Sequence, residues 1–418
     1  MKKQFVENIN EPTVKIKVFG LGGGGGNAVE NMIAHKVEGV DFAIANTDRQ
    51  ALEKSKCKEK ILLGVDSTGG LGAGANPNVG KKACMESKDA IINSMKGYDM
   101  IFLAAGMGGG TGTAAVAGFA EEARKLGILT VAVVTKPFTF EGRKRMEHAE
   151  KGLEDVLKVA DSTVIISNNN LRSLIGRKPA REAFAVADDV LRSAVQTITN
   201  LVNKRALINL DFADVCTTMR GQGHAVLGIG IADIGEGGAI QAAEQAVSNK
   251  LLENSIKSAT QAIINISGGP SISLFDAEDA VNRISEETET EINTIFGVDI
   301  DEDMGNKIQV TVIATGFDEN SITKNQLTEA EAPSSKAIPK KDIEITHRPT
   351  STYAKTDTVD VMDFNKPKEQ PYYSSNYTTP SYGYNESNHG QASSSYRRES
   401  AHEEDTFLPK FFRRDNRY

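Results

Sequence analysis

Two glycine-rich segments, Gly20-Leu21-Gly22-Gly23-Gly24-Gly25-Gly26-Asn27 and Gly106-Met107-Gly108-Gly109-Gly110-Thr111-Gly112-Thr113, each lie between an apolar, strand-like run and a helical pattern. Glycine admits positive φ and leaves backbone N–H groups bare. Each segment can therefore form a nest of donors at a helix N-terminus, where phosphate binds. Two such nests suit one polyphosphate. The first also satisfies G-x-G-x-x-G after a strand, but any run of five glycines does, so the dinucleotide-fold signal is weak. Neither segment ends in the Gly-Lys-Ser/Thr of a P-loop, and two nests without that lysine point to another nucleotide fold.

The elements that must hold these segments are legible in the hydrophobic pattern. From Val14 to about Gly316, short apolar runs alternate with longer helical stretches, which predicts an α/β fold built on a Rossmann-like parallel sheet with crossover helices. Strands are predicted at Val14 to Phe19, Val40 to Ala45, Asp99 to Ala104, Leu129 to Thr135, Thr163 to Ser167, Leu207 to Leu210, Ala225 to Ile231, Gln261 to Ile266 and Ile308 to Ala314. Between Arg181 and Lys204, Phe184, Val186, Val190, Leu191, Ala194, Val195, Ile198, Leu201 and Val202 keep helical spacing over several turns, which predicts one long buried helix. The predicted organisation is a flexible N-terminus (1–13), a nucleotide-binding domain (14–180), a central helix (181–204), a smaller α/β domain (205–317), a disordered linker (318–404) and a terminal peptide (405–418).

Bulk properties narrow the class. The 418 residues suffice for two domains and a tail. A formal charge of −8 argues against nucleic acid as the main partner. Cys57, Cys84 and Cys216 are scattered without C-x-x-C spacing, which fits a reducing compartment. The N-terminus lacks an apolar leader and no run approaches the ~18 apolar residues of a membrane span, so the expected location is the cytoplasm. After Gly316, Ser, Thr, Asn, Pro and charged residues dominate, too few aliphatic side chains remain to offset ordering, and tyrosines such as Tyr372, Tyr373 and Tyr377 cluster. The end reverses this character. Phe407, Leu408, Pro409, Phe411 and Phe412 stand beside Arg413 and Arg414, as in a docking motif that inserts apolar side chains into a partner's groove.

Several ordered segments resemble the tubulin superfamily, and in particular its bacterial cell-division branch, the FtsZ family of GTPases. They are Gly108-Gly109-Gly110-Thr111-Gly112-Thr113, Asn46-Thr47-Asp48, Gly70-Leu71-Gly72-Ala73-Gly74-Ala75-Asn76-Pro77, Pro137-Phe138-Thr139-Phe140-Glu141-Gly142-Arg143-Lys144-Arg145 and Asn209-Leu210-Asp211-Phe212-Ala213-Asp214. The resemblance implies that Gly23, Gly24, Gly25, Gly26 and Asn27, with Gly110, Thr111 and Gly112, cradle the phosphates of GTP or GDP, and that Gly72, Ala73 and Gly74 sense the γ-phosphate. It places Glu141 and Arg145 near the ribose and phosphates, and their four-residue spacing puts them on one helical face. It assigns Phe184 to stacking on guanine and Asp188 to its N1 and N2 donors, although periodicity alone reads Phe184 as core and Asp188 as a solvated position.

The resemblance further implies that Asn209, Asp211 and Asp214 of one subunit complete the active site of the next, positioning the attacking water. A helix of roughly 24 residues is about 36 Å long, so these residues and the nucleotide should lie on opposite faces of the subunit. The alternative, that these acids merely cap the next element, stays open on sequence alone. The implied product is a head-to-tail filament of the bacterial division ring, with Mg²⁺ bridging the phosphates, K⁺ as an open addition, and a membrane-attached adaptor bound by the terminal peptide. Two departures stand out: Ala114 occupies a position usually glycine in the family, and Lys204-Arg205-Ala206 replaces Pro-Gly before Leu207. A non-catalytic nucleotide-binding scaffold and a Rossmann-type oxidoreductase are the alternatives.

Overall fold

The computed structural model of the chain describes residues 14–175, 180–203, 207–208, 211–248, 256–288 and 292–317. The predicted flexible N-terminus, linker and terminal peptide, and the Lys204-Arg205-Ala206 departure, lie outside the described residues. Among those described, the strands are β1 (Ile16–Leu21), β2 (Asp41–Asn46), β3 (Glu59–Leu62), β4 (Met100–Gly106), β5 (Leu129–Lys136), β6 (Ser162–Ser167), β7 (Gly223–Asp233), β8 (Gln261–Gly268), β9 (Asn293–Ile300) and β10 (Lys307–Thr315). The first helices are α1 (Gly22–Ala34), α2 (Arg49–Lys54), α3 (Val65–Thr68), α4 (Pro77–Glu86), α5 (Lys88–Met95) and α6 (Thr111–Lys125). They are followed by α7 (Arg143–Leu157), α8 (Asn168–Ile175), α9 (Ala180–Asn203), α10 (Phe212–Met219), α11 (Gly238–Val247) and α12 (Leu274–Glu286).

One sheet runs through the molecule in the order β3-β2-β1-β4-β5-β6-β7-β10-β8-β9. Its first six strands are parallel and follow the doubly wound order 3-2-1-4-5-6. The strand order reverses between β1 and β4, which opens a crevice at the C-terminal ends of those two strands. β7 belongs to both halves: Gly223 to Ala225 continue the parallel ladder of β6, and Val226 to Asp233 pair antiparallel with β10.

The parallel sheet predicted for the nucleotide-binding domain is present, and in the second domain β10 runs antiparallel to both β7 and β8. Hydrophobic runs report burial, not strand direction, so the pattern could not show this. β3 and β9 add to the predicted strands; being short or only partly buried, they leave little trace in the hydrophobic pattern. The predicted strand at Leu207 to Leu210 contributes, among its described residues, a single bridge from Ile208 to Val298.

Alternation in the strands divides the core. Val18, Phe102, Val131 and Val133 face a layer formed by α1 and α9, whereas Phe19, Leu21, Leu103 and Val134 face α4 to α7. α9 is the predicted long helix, 24 residues, with Val190, Leu191, Ala194, Val195 and Ile198 buried. In the second domain, Ile264, Ile266, Val310 and Val312 pack on the alanine-rich α11 and on α12.

α1 lies tightly on the sheet because its inner face is glycine. A methyl group on Gly25 would overlap the carbonyl oxygen of Ala104, whereas a methyl on Gly26 would meet nothing within 4 Å. Gly25→Ala is expected to destabilise the protein by about 1–3 kcal/mol, since backbone must move. Gly26→Ala is expected to be neutral or slightly stabilising, because alanine is the better helix former. Urea unfolding midpoints of the two variants test the contrast.

Candidate functional site

The two glycine segments emerge from adjacent parallel strands, with Leu21 in register with Ala105. The chain leaves β1 directly into helix rather than into a free loop: Gly22 takes φ 68° and begins α1, so Gly23 to Asn27 form the first turns. A Cβ on Gly22 would lie 2.8 Å from the Gly112 nitrogen, and one on Gly24 would lie 3.1 Å from the Gly106 nitrogen. The segments are thus in backbone contact, and both nests open into one crevice.

Neither helix is capped by a side chain. Leu21 and Gly110 occupy the N-cap positions of α1 and α6 without a capping hydrogen bond, and neither first turn contains an acidic residue. By contrast, α2, α4 and α12 are capped by Asp48, Asn76 and Ser273. Uncapped N–H groups and two helix dipoles favour an anion at this point without any lysine.

Neighbouring segments hold the second nest in shape. Thr113 Oγ1 accepts a hydrogen bond from the Gly108 N–H at 2.8 Å. The buried hydroxyls of Thr47 and Thr111 are 2.6 Å apart. Gly72 N–H donates to the Thr47 carbonyl at 3.0 Å, and Asp48 and Leu71 form a bridge. Ala73 and Asn76 pack so closely on Gly110 that a Cβ there would lie 2.8 Å from both. The Gly72-Ala73-Gly74 segment is therefore tied to the phosphate nest on one side and reaches solvent through Leu71 on the other. Ala114 sits inside α6, where its helical backbone suits alanine, and packs against Gly80 of α4.

From this crevice a cleft of about 130 Å³ runs toward α9, lined by Gly24, Asn27, Thr135, Glu141, Arg145, Asn168, Phe184 and Asp188 among others. Arg145 Nε pairs with Glu141 Oε2 at 3.1 Å. The expectation that both share one helical face is corrected: Glu141 ends a single 3₁₀ turn, Gly142 takes φ 103°, and Arg145 belongs to α7. Glu141 also accepts from the Phe138 N–H at 2.9 Å. Phe184 is 48% exposed, and its ring meets Phe138 edge-on at 5.6 Å, so it is not the core residue that periodicity suggests. Burial, and secondarily the charge of Asp189, push the Asp188 carboxyl up to about 7.

Asn168 is a site residue that sequence reasoning misses. It is 6% exposed at the start of α8, lines the cleft, and its Oδ1 has no hydrogen-bond partner. An acceptor so placed requires a donor from a ligand or water. The Asn-Asn-Asn run at 168–170 is the available signal, but nothing in it distinguishes the residue that turns inward.

Asp211 and Asp214 lie elsewhere, exposed at the start of α10 and absent from the cleft. Asp211 occupies the N-cap position but its side chain makes no capping bond, contrary to the capping alternative. Fifteen residues of α9 separate Asp188 from Asn203, a rise of about 22 Å. Asn209 and the terminal residues Phe407, Leu408, Pro409, Phe411, Phe412 and Arg413 lie outside the described residues.

A parallel sheet with two uncapped, glycine-built helix N-termini at its switch point, a long helix beside the cleft and a second α/β domain defines a tubulin-like GTPase. Residues 15–176 match the Tubulin/FtsZ family, GTPase domain, and residues 223–318 match the FtsZ family, C-terminal domain. The chain belongs to the FtsZ family and is a GTP-binding, GTP-hydrolysing, polymerising protein of that kind. An empty FtsZ dimer from M. jannaschii is similar at 40% identity over 72% of this chain and 88% of its own, with TM-score 0.69. A second M. jannaschii FtsZ structure, of a mutant, has 40% identity over 73% and 91%, with TM-score 0.70. A GTPγS-bound CetZ protofilament from Haloferax volcanii, 20% identical over 76% of this chain and 100% of its own at TM-score 0.66, shares the fold. The oxidoreductase alternative is set aside by this membership.

The raised Asp188 carboxyl has a consequence for stability. Between about pH 4 and pH 7 it is protonated in the folded state and ionised in the unfolded one, so its contribution to stability falls as pH rises through that window. Asp188→Asn removes this dependence. The stability advantage of Asp188→Asn over wild type, from urea unfolding, is expected to grow by about 1–3 kcal/mol between pH 5 and pH 8.

Proposed function

We propose that this chain hydrolyses GTP in a site assembled from two copies, and that the resulting head-to-tail filament builds the bacterial division ring. The carrying observation is a separation along α9: nests and base cleft at one end of the helix, exposed and uncapped Asp211 and Asp214 beyond the other. Such a contact joins two different surfaces of the same chain, so it does not close on itself and propagates. The FtsZ dimer and the CetZ protofilament among the similar structures support self-association.

The backbone N–H groups of Gly23 to Gly26, with those of Gly110 to Gly112, hold the phosphates. Glu141 and Arg145 hold the ribose side, and Gly72, Ala73 and Gly74 respond to the γ-phosphate. Phe184 stacks on the base, Asp188 accepts from its N1 and N2 donors, Asn168 borders it, and Asn27 belongs with the phosphate cradle at the same cleft. Asp211 and Asp214 of the next copy, with Asn209, orient a water. Its oxygen bonds to the γ-phosphorus as the bond to the β–γ bridging oxygen breaks; GDP leaves with that oxygen, and a carboxylate takes the water proton.

Among the described residues no cluster of His, Cys, Asp or Glu is arranged to hold a metal. Mg²⁺ would be held chiefly by phosphate oxygens of the nucleotide, where it would neutralise developing charge. K⁺ has no assigned residue. Among the described residues no helix is long and apolar enough to cross a membrane. Placement at the division site under the membrane is assigned to an adaptor that binds Phe407, Leu408, Pro409, Phe411, Phe412 and Arg413.

GTP turnover per subunit is expected to rise steeply with protein concentration, in step with GTP-dependent sedimentation. Asp211→Ala should retain GTP binding and lose at least about tenfold in turnover, since water orientation and proton acceptance are transition-state contributions. Turnover independent of concentration, or wild-type rates in the variant, would remove the two-copy site. Deleting 405–418 is expected to leave turnover unchanged while abolishing recruitment to membranes carrying the adaptor, measured by vesicle co-flotation.

A further inference from the structure

α1 and α9 lie side by side on one face of the sheet, and their contact is polar at one point. Gly24 and Asn27 of α1 face the nucleotide cleft. One turn further along, Asn31 Nδ2 donates to Asp189 Oδ1 at 3.2 Å. The same oxygen lies 3.5 Å from Nε of Arg192, whose guanidinium also donates to Gln196 at 2.9 Å. Asp189 and Arg192 are each only 9% exposed.

Burial weighs against both charges of this pair: it pushes the Asp189 carboxyl up and the Arg192 guanidinium down, and a buried ion pair often contributes less than apolar residues of the same volume. What it does provide is orientation. The hydrogen bond from Asn31 crosses from α1 to α9 and is directional, whereas an apolar contact can slide; Arg192, one turn along α9 itself, holds the carboxylate in the direction of that bond. The residue it orients most directly is its neighbour, Asp188.

We propose that Asp189 is a positioning residue for base selection: its hydrogen bond from Asn31 of α1, with the carboxylate held by Arg192 one turn along α9 itself, sets the rotation of α9 and hence the direction in which Asp188 meets the guanine edge. The proposal rests on the reading of Asp188 as the guanine acceptor. Phosphate nest and base acceptor are then held in one geometry by a bridge that touches neither ligand part. The charged and titratable groups around the pair are Glu141 and Arg145 in the cleft, His35 near the end of α1, and Arg192 on α9. Asp189 also bears on Asp188 through its charge, which adds to burial in raising the neighbouring carboxyl.

The test uses the full chain and three probes: GTP, xanthosine triphosphate, which carries an oxygen in place of the 2-amino group, and inorganic tripolyphosphate, which has no base. Asp189→Leu is expected to lose about tenfold of the preference for GTP over xanthosine triphosphate, with tripolyphosphate affinity unchanged. Asp189→Asn keeps an oxygen for Asn31 but removes the charge. It should retain the preference and move the midpoint of pH-dependent GTP binding below that of wild type. Equal losses for GTP and tripolyphosphate in Asp189→Leu, an unchanged preference there, or an unmoved pH midpoint in Asp189→Asn would each overturn the proposal. Asp188→Asn is the separate control: its amide can donate to the xanthine oxygen, so preference should turn toward xanthosine triphosphate. A wild-type preference for GTP in that variant would refute the base-reading role itself.

Discussion

The structure depends on a backbone-to-backbone approach that only glycine permits. β1 and β4 are neighbours at the point where strand order reverses, and the segments leaving them touch at Gly22 and Gly112 and again at Gly24 and Gly106. Two helix N-termini consequently point into one crevice, each without a side-chain cap. A side chain at Gly22, Gly24 or Gly112 would press on the facing backbone and force the segments apart. The alternation of buried residues in β1 and β4, the seating of α1 through Gly25 and the hydroxyl contact between Thr47 and Thr111 all serve to keep this approach in place.

α9 divides its faces among three surroundings. Near its start, Phe184 and Asp188 face the cleft, while Asp189 turns toward α1 and Val190 and Leu191 enter the core. One short stretch of helix thus lines the cleft, bonds a neighbouring helix and packs in the core, because successive residues point about 100° apart. Far from that end stand Asp211 and Asp214, exposed and unengaged. They take no part in the cleft that Phe184 and Asp188 line.

Much of this is legible in order along the chain. The two glycine segments, the long helix and most strands are readable because hydrophobic period and glycine clustering are local properties. The antiparallel β10 is not, since a buried strand has the same pattern in either direction. Glu141 and Arg145 pair as their spacing suggests but for a different reason: their contact crosses a break at Gly142 rather than following one helical face. Asn168 is invisible in the sequence because three consecutive asparagines present the same chemistry, and only the fold turns one of them inward.

The sequence by itself determined the kind of ligand, since bare glycine N–H groups at helix starts admit an anion wherever those helices are placed. It also determined that the acids after α9 are distant, because helix length follows from residue count. Only the tertiary structure decided that the two nests share one crevice, that Phe184 is surface rather than core, and that Asp189 bonds Asn31 across two helices. These are contacts between residues tens or hundreds of positions apart, and no local periodicity encodes which of them meet.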